Sequence, residues 1–184
     1  MSLQNLRIDR DWTLFLDRDG VINRRIVDGY VKSWDQFDFL PGVPEAMIKF
    51  HRVFGRIIVV SNQQGVGKGL MTLEEVKTIH SRMVAEIKLA GGQVDEVYFS
   101  PNLASDRSVM RKPNIGMALK ARKQFPEIRF NRSVMAGDSL SDMMFGKRVG
   151  MKTVFISDDP ALAKMNPRKI DFVFPDLISL AGEL

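Results

Sequence analysis

The sequence predicts an α/β fold in which helices cover both faces of a parallel sheet. Short apolar runs of strand length alternate along the chain with longer segments in which apolar residues recur at helical spacing. The chain has 184 residues, of which 45% are hydrophobic and 27% are charged, as in ordinary globular proteins. This length is sufficient for one sizeable core. We therefore expect a single domain over residues 1–184.

Six segments have the length and composition of buried strands. They are predicted at Leu14–Asp17, Arg56–Ser61, Val94–Phe99, Ser133–Gly137, Lys152–Ile156 and Phe172–Phe174, the last at an edge of the sheet. Residues 21–39, here called the flap, lack helical periodicity. We expect a small hairpin or flap there, with a turn at Asp28-Gly29.

Helices are expected between these strands. Four longer segments are predicted to be helical, at about 41–54, 72–90, 114–125 and 138–149, and a short helix is expected at the C-terminus. Thr72 and Glu75 have the spacing of a capping box, and Asn114 is predicted to cap the third helix.

Composition limits the classes of partner. The net charge of +5 favours anionic partners, and a small phosphorylated substrate fits. Nucleic acid is disfavoured because the chain has no block of five or more like charges. The absence of cysteine excludes disulfides, thiolate zinc sites and a cysteine nucleophile. The N-terminal residues do not resemble a signal peptide and no apolar run is long enough to cross a membrane, so we expect a cytoplasmic protein without membrane contact.

Polar residues follow four of the predicted strands. If the strands are parallel, these residues meet at one edge of the sheet, where ligands bind in open α/β folds. They are Asp17 and Asp19, Ser61 and Asn62, Arg111 and Lys112, and Asp138 and Asp142. Acids for a metal ion and a nucleophile, together with a hydroxyl and a fixed cation, suit phosphoryl transfer.

These residues give the chain a resemblance to the haloacid dehalogenase superfamily of phosphohydrolases, which share a Rossmann-like, three-layer fold. The four motifs of the family are matched in order by residues 17–21 (DRDGV), Ser61, Lys112 and residues 137–142 (GDSLSD). Further segments, among them SNQQGVGKG and RKPNIGM, resemble the branch that contains heptose 1,7-bisphosphate phosphatase and histidinol phosphatase. In that branch a small flap replaces a cap domain.

The resemblance implies a role for each matched residue. Asp17 would be the nucleophile and Asp19 the acid and base, while Ser61 and Lys112 would bind the phosphoryl group. Mg²⁺ would bind the carboxylates of Asp17 and Asp138 and the carbonyl of Asp19. Asp142 would orient Lys112 or a metal-bound water. The residues expected to recognise the substrate are Asp28, Tyr30, Asn62, Gln63, Gln64 and Arg111.

The substrate is the least determined part of this expectation. The leading candidate is D-glycero-D-manno-heptose 1,7-bisphosphate, and the alternative substrates are histidinol phosphate and the 3′-phosphate of DNA. A different class of function, a catalytically silent phosphate-binding domain, is the remaining alternative. Residues 100–113 contain neither Cys nor His, whereas zinc-bearing members have such ligands there, so no zinc is expected. We expect a monomer that acts on a small sugar phosphate. Arg24 and Arg25 are expected to be solvated, with contact to a second phosphate as the alternative. Lys68 is expected either to face solvent or to touch the substrate, and His80 is expected to be structural.

Overall fold

The computed structural model describes residues 3–184 and contains a six-stranded parallel sheet. Every neighbouring pair of strands is parallel, and the strand order is β3-β2-β1-β4-β5-β6. The strands are β1 (Thr13–Leu16), β2 (Arg56–Asn62), β3 (Glu96–Ser100), β4 (Ser133–Gly137), β5 (Lys152–Ile156) and β6 (Phe172–Phe174). The α/β fold with a parallel sheet is therefore confirmed.

Seven α-helices connect or follow the strands within residues 3–184. They are α1 (Val43–Val53), α2 (Gln64–Gly67), α3 (Leu73–Leu89), α4 (Gly116–Gln124), α5 (Leu140–Val149), α6 (Ala161–Met165) and α7 (Leu177–Gly182). None of the helices in this part of the chain is long and apolar enough to cross a membrane.

Alternate residues of the central strands face opposite layers of the molecule. Leu14 and Leu16 belong to a core cluster that includes residues of α1, α3 and α7. Phe15 lies between them in sequence but belongs to a second cluster, with residues of α4 and α5. Neighbouring strand side chains point to opposite faces, so the helices cover both faces of the sheet. The apolar run at β1 is buried on both sides for this reason.

The strand order places the reversal of the chain at β1. The chain passes from β1 outward to β2 and β3, and then returns to the other side of β1 for β4, β5 and β6. In sheets of this kind the crevice beyond the carboxyl ends of the strands at the reversal is the usual ligand site. Asp17 follows β1 and Asp138 follows β4, so both lie at this crevice.

Local signals predicted some helix ends and failed at others. Thr72 caps α3 with both hydrogen bonds of the capping box formed, as predicted. The prediction that Asn114 caps the next helix is wrong: α4 begins after Ile115, and the Asn114 side-chain amide donates to the Ser108 carbonyl. The short helix Gln64–Gly67 was not predicted, because its two glycines favour a loop.

The flap is closed at its base but has no regular hairpin ladder. Its ends are joined by an isolated bridge between Asn23 and Phe39 and by hydrogen bonds from Arg24 N to Asp38 O (2.8 Å) and from Leu40 N to Ile22 O (3.0 Å). A turn forms near the predicted position, where Gly29 N donates to Ile26 O and Asp28 has φ of 53°. A stack of Trp34 on Phe37, with ring centroids 4.8 Å apart, lies within the flap.

Candidate active site

A buried lysine joins two of the predicted acids. Lys112 Nζ lies 2.8 Å from Asp17 Oδ1 and 2.6 Å from Asp142 Oδ1, and it also donates to the Val60 carbonyl at 2.7 Å. All three charged side chains are almost fully buried. Asp142 Oδ2 is also hydrogen-bonded to Ser139, the N-cap of α5. This contact with Lys112 fits one of the two roles that the resemblance implied for Asp142, and the role itself stays a prediction.

Asp17, after β1, and Asp138, after β4, bind protons more tightly than an exposed aspartic acid does. Burial, reinforced by the negative charge of Asp142, raises the pKa of Asp17 to about 7 despite the ion pair with Lys112. Burial also raises the pKa of Asp138 to about 6, although Arg25 opposes the shift. Strongly perturbed acids in a crevice are typical of a functional site. A bound cation would reverse these shifts, because it favours the charged form of each carboxylate.

Asp19 has the opposite environment. Burial alone would raise the pKa of Asp19, but the charge and hydrogen bonds of Arg18, with further bonds from Asn23 and Gln63, hold it below its usual value. Arg18 Nη2 lies 2.7 Å from Oδ1 and 2.9 Å from Oδ2, while Asn23 donates to Oδ1 at 3.0 Å and Gln63 to Oδ2 at 2.8 Å. Asp19 therefore rests as a carboxylate whose two oxygens are both fixed.

The last residues of β2 and the residue that follows it contact both Asp19 and Lys112. Ser61 is buried, and its Oγ accepts a hydrogen bond of 2.8 Å from Gln63 Nε2, which also reaches Asp19. Asn62 exchanges two hydrogen bonds with the Lys112 backbone, at 3.0 and 3.1 Å. The side chain of Asn62 thus holds Lys112 in place, and Gln63 faces the acids. Substrate contacts for Asn62 and Gln63 stay predictions.

A cavity of about 490 Å³ lies over these residues and extends to the flap. Asp17, Asp19, Ser61 and Lys112 line its inner end. Its other lining residues include Asp28, Tyr30, Gln64, Lys68 and Arg111. The structure therefore brings the predicted flap residues and the predicted phosphoryl-transfer residues to one cavity.

The outer wall of this cavity is held together by a chain of polar contacts. Arg111 Nη2 donates to Gln64 Oε1 at 3.2 Å, and Gln64 Nε2 donates to the Tyr30 hydroxyl at 3.0 Å. The Lys68 ammonium lies 5.4 Å from the centre of the Tyr30 ring, which is a cation–π distance. Two cations and two polar groups therefore line the same cavity as the buried acids.

The donor set at the inner end fits a hard divalent cation. Carboxylate oxygens of Asp17, Asp138 and Asp142 lie within 4.8 Å of one another. A positive group already occupies part of this region: Arg25 Nη2 is 2.9 Å from Asp138 Oδ1 and 3.2 Å from the Asp19 carbonyl. The Asp138 carboxylate, the Asp19 carbonyl and the Asp17 carboxylate are the ligands that the family resemblance implied. Oxygen donors in this number suit Mg²⁺, which keeps several waters.

Gly20 allows the two acid-bearing segments to approach each other. It has φ of 86°, and a Cβ atom at this position would lie 1.9 Å from Asp138 Oδ2. Any side chain would therefore displace the carboxylate, and the left-handed backbone would be strained as well. The glycine of the DRDGV segment is thus required for the position of Asp138.

Sequence reasoning missed three contributors to the site. Arg18 and Asn23 hold Asp19, and His80 on α3 lies 3.1 Å from Arg18 Nη1. The position of Arg18 between the two acids was the available signal for its role. His80 has the helical spacing of the buried residues Val76 and Met83, which was the signal that it faces the core. Arg25, expected to be solvated, instead contacts Asp138.

Residues 100–113 are ordered by hydrogen bonds of their own and to neighbouring loops. The Leu103 amide donates to Asp106 at 2.9 Å, and Arg111 Nη1 donates to the Asn102 carbonyl at 3.2 Å. The Pro101 carbonyl accepts from the Gly67 amide at 3.0 Å. These contacts hold Arg111 and Lys112 at the cavity.

Comparisons with known proteins agree with this geometry. A family model described as HAD-hydrolase-like matches residues 109–180. The D-glycero-alpha-D-manno-heptose-1,7-bisphosphate 7-phosphatase of Mycobacterium bovis is 41% identical over 143 residues, which are 78% of this chain and 75% of the relative. The D-glycero-beta-D-manno-heptose-1,7-bisphosphate 7-phosphatase of Rhodopseudomonas palustris is 33% identical over 144 residues, covering 74% of this chain and 78% of the relative.

Solved structures show the same fold. The crystal structure of D,D-heptose 1,7-bisphosphate phosphatase from B. bronchiseptica, complexed with magnesium and phosphate, aligns with a TM-score of 0.83 and 26% identity. The alignment covers 94% of this chain and 97% of that one. The Rossmann-like, three-layer arrangement predicted from the sequence is thereby confirmed. The chain belongs to the haloacid dehalogenase superfamily, and it is a phosphatase of that family.

Proposed function

We propose that this protein is a magnesium-dependent phosphomonoesterase that removes the 7-phosphate of D-glycero-D-manno-heptose 1,7-bisphosphate. The observation that carries the proposal is the sharing of one cavity of about 490 Å³ by Asp17, Asp19, Lys112 and Arg111. A cavity of this size suits a small phosphorylated sugar. The names of the relatives support the substrate, and the higher identity to the alpha-named enzyme (41% against 33%) favours the α anomer.

The first step transfers the phosphoryl group to the protein. An Asp17 carboxylate oxygen attacks phosphorus and forms an aspartyl-phosphate as the bond from phosphorus to the C7 oxygen breaks. Asp19 gives a proton to the departing oxygen, so the sugar leaves as an alcohol. Asp17 is held for this attack because its Oδ1 accepts hydrogen bonds from Arg18 N at 2.7 Å and Lys112 Nζ at 2.8 Å.

The second step returns the protein to its starting state. Asp19, now a carboxylate, takes a proton from a water molecule as the water oxygen attacks phosphorus. The bond from phosphorus to Asp17 breaks, and inorganic phosphate leaves. The lowered pKa of Asp19 favours this basic form. The proton that Asp19 donates in the first step is therefore taken up from solvent in the substrate complex, and the proton from the attacking water replaces it. Lys112 and Ser61 stabilise the phosphoryl oxygens, where charge accumulates in both transition states.

The metal would be held by Asp17, Asp138 and the Asp19 carbonyl. When bound, Mg²⁺ supplies positive charge that offsets the repulsion between the phosphate and the carboxylates. Asp142 is committed to Lys112 and Ser139, which leaves it outside this ligand set. The sugar and its other phosphate would lie against Arg111, Tyr30, Gln64 and Asp28.

The test is phosphate release with Mg²⁺ and with EDTA. The substrates are both anomers of heptose 1,7-bisphosphate, histidinol phosphate and a 3′-phosphorylated oligonucleotide. We expect magnesium-dependent turnover of a heptose bisphosphate, with the α anomer preferred. Asp17→Asn should abolish turnover while circular dichroism stays unchanged. The matched control is Asp11→Asn, because Asp11 lies before the amino-terminal end of β1, away from the cavity. Turnover by Asp17→Asn, or equal rates in EDTA, would contradict the proposed chemistry.

A further inference from the structure

A buried pair of basic side chains lies behind Asp19 and has no part in the steps above. The Arg18 side chain is only 1% exposed, and His80 on α3 is 5% exposed. Arg18 Nη1 lies 3.1 Å from His80 Nε2. Arginine is rarely buried unless its donors are paired, so the contacts of this guanidinium with Asp19 and His80 compensate its removal from water.

The contact fixes the state of the histidine. Arginine has only donors, so His80 Nε2 accepts the hydrogen bond and the ring is neutral, with its proton on Nδ1. The ring is also held in place by Phe99 of β3, which packs against it edge-on with centroids 5.2 Å apart. His80 is therefore a fixed acceptor on a long, well-capped helix.

The opposite edge of the same guanidinium holds Asp19. Arg18 Nε lies 3.2 Å from Asp19 Oδ1, and Nη2 lies 2.7 Å from Oδ1 and 2.9 Å from Oδ2. The guanidinium is planar and rigid, so anchoring Nη1 on His80 also determines where Nε and Nη2 lie. The position of His80 is thus transmitted to both oxygens of the Asp19 carboxylate.

We propose that His80 is a positioning residue that acts through Arg18 to orient Asp19 for its proton transfers. This inference rests on the proposed role of Asp19 as acid and base. Asn23 and Gln63 also contact Asp19, but each offers one donor to one oxygen. Arg18 alone bridges both oxygens, so loss of its anchor lets the plane of the carboxylate rotate.

The test must separate positioning from a purely structural role, since either role makes His80 variants less stable. The separating measurement is kcat/KM for two classes of phosphate ester. This parameter reports the reaction through cleavage of the first phosphorus–oxygen bond. A primary alkyl phosphate, such as heptose 1,7-bisphosphate, needs a proton from Asp19 at that cleavage. p-Nitrophenyl phosphate does not, because the nitrophenolate leaves as an anion.

We expect His80→Phe to lower kcat/KM for the alkyl phosphate at least about tenfold, a fraction of the full effect of a general acid. The same variant should change kcat/KM for p-nitrophenyl phosphate less than about threefold, because that cleavage needs no proton. His80→Gln places an acceptor near the position of Nε2 and should restore most of the alkyl activity. His80→Asn is too short to reach Arg18 and should behave like His80→Phe, which covers the case in which phenylalanine prevents folding.

Ile87→Val is the matched control, because it loses buried volume on the same helix without touching the Arg18–His80 pair. It should leave the ratio of the two kcat/KM values unchanged. Equal losses for both esters in His80→Phe and His80→Asn, or no loss at all, would overturn the positioning role. Absence of magnesium-dependent turnover in the unmodified protein, or turnover by Asp17→Asn, would instead overturn the proposed function.

Discussion

Replacing Lys112 with methionine removes the only cation found between two buried carboxylates in the described part of the chain, while keeping a side chain of similar length. Lys112 Nζ is 2.8 Å from Asp17 and 2.6 Å from Asp142, and all three groups are buried. Removing one partner of a buried ion pair costs about 3–5 kcal/mol, because the remaining charge is left uncompensated. For a chain of this size that corresponds to a fall in Tm of about 6–20 °C.

Protonation gives this prediction a pH dependence. The pKa of Asp17 is about 7 with Lys112 present and rises further without it, since the lysine lowers it. At pH 5 Asp17 is therefore neutral in Lys112→Met, and part of the penalty disappears. We expect the destabilisation to be large at pH 8 and clearly smaller at pH 5.

The assay is urea unfolding followed by circular dichroism, in EDTA, at both pH values. The informative comparison adds Asp142→Asn to Lys112→Met, because asparagine removes the charge left without a partner. The double variant should be more stable than Lys112→Met at pH 8. A loss below about 1 kcal/mol at pH 8, the range of an exposed pair, would refute the argument from burial. So would an equal loss at pH 8 and pH 5.

Three further predictions concern the metal-binding acids. Arg25→Ala should bind Mn²⁺ about two- to fivefold more tightly in calorimetry, because the variant has lost one exposed ion pair with Asp138. Arg24→Ala, the control, should bind Mn²⁺ as the unmodified protein does. Equal affinities for both variants would show that the Arg25 guanidinium does not compete with the metal ion. The folded-state pKa values of Asp17 and Asp138, about 7 and about 6, exceed the ordinary aspartic acid pKa of 3.8, so the folded protein binds these protons more tightly than the unfolded chain does. Stability in EDTA should therefore fall from pH 5 to pH 7.5, and Mg²⁺ should raise Tm more at pH 7.5; a metal-induced rise that is larger at pH 5 would contradict this sign. Gly20→Ala should lower the free energy of unfolding by about 1–3 kcal/mol, because alanine is strained in the left-handed backbone conformation. It should also bind Mn²⁺ more weakly, and an unchanged affinity in calorimetry would show that Asp138 tolerates the added Cβ.

The parts of the site that follow strands could be predicted, and the support beneath them could not. Short apolar runs indicate where a strand ends, so the positions of Asp17 and Asp138 follow from the sequence and from parallel pairing. Arg18 could not be predicted as buried, because arginine is usually exposed and periodicity does not reveal which charge has a partner. His80 was recognised as structural, but its contact with Arg18 joins residues 62 positions apart. Such a pairing depends on how α3 packs, which local patterns do not encode.

The closed base of the flap has a consequence for how this protein can change. The Asn23–Phe39 bridge joins the two ends of the flap. The residues between these ends form a loop, and its length can change without moving the strands of the sheet. Lengthening such a loop adds little entropic cost, because closure entropy grows only slowly with length. The segment between these anchors can thus be grafted from one chain to another while the acids at the strand ends keep their places. Under the proposed function, the substrate contacts that the flap supplies through Asp28 and Tyr30 can therefore change without moving the strand ends that carry Asp17 and Asp138.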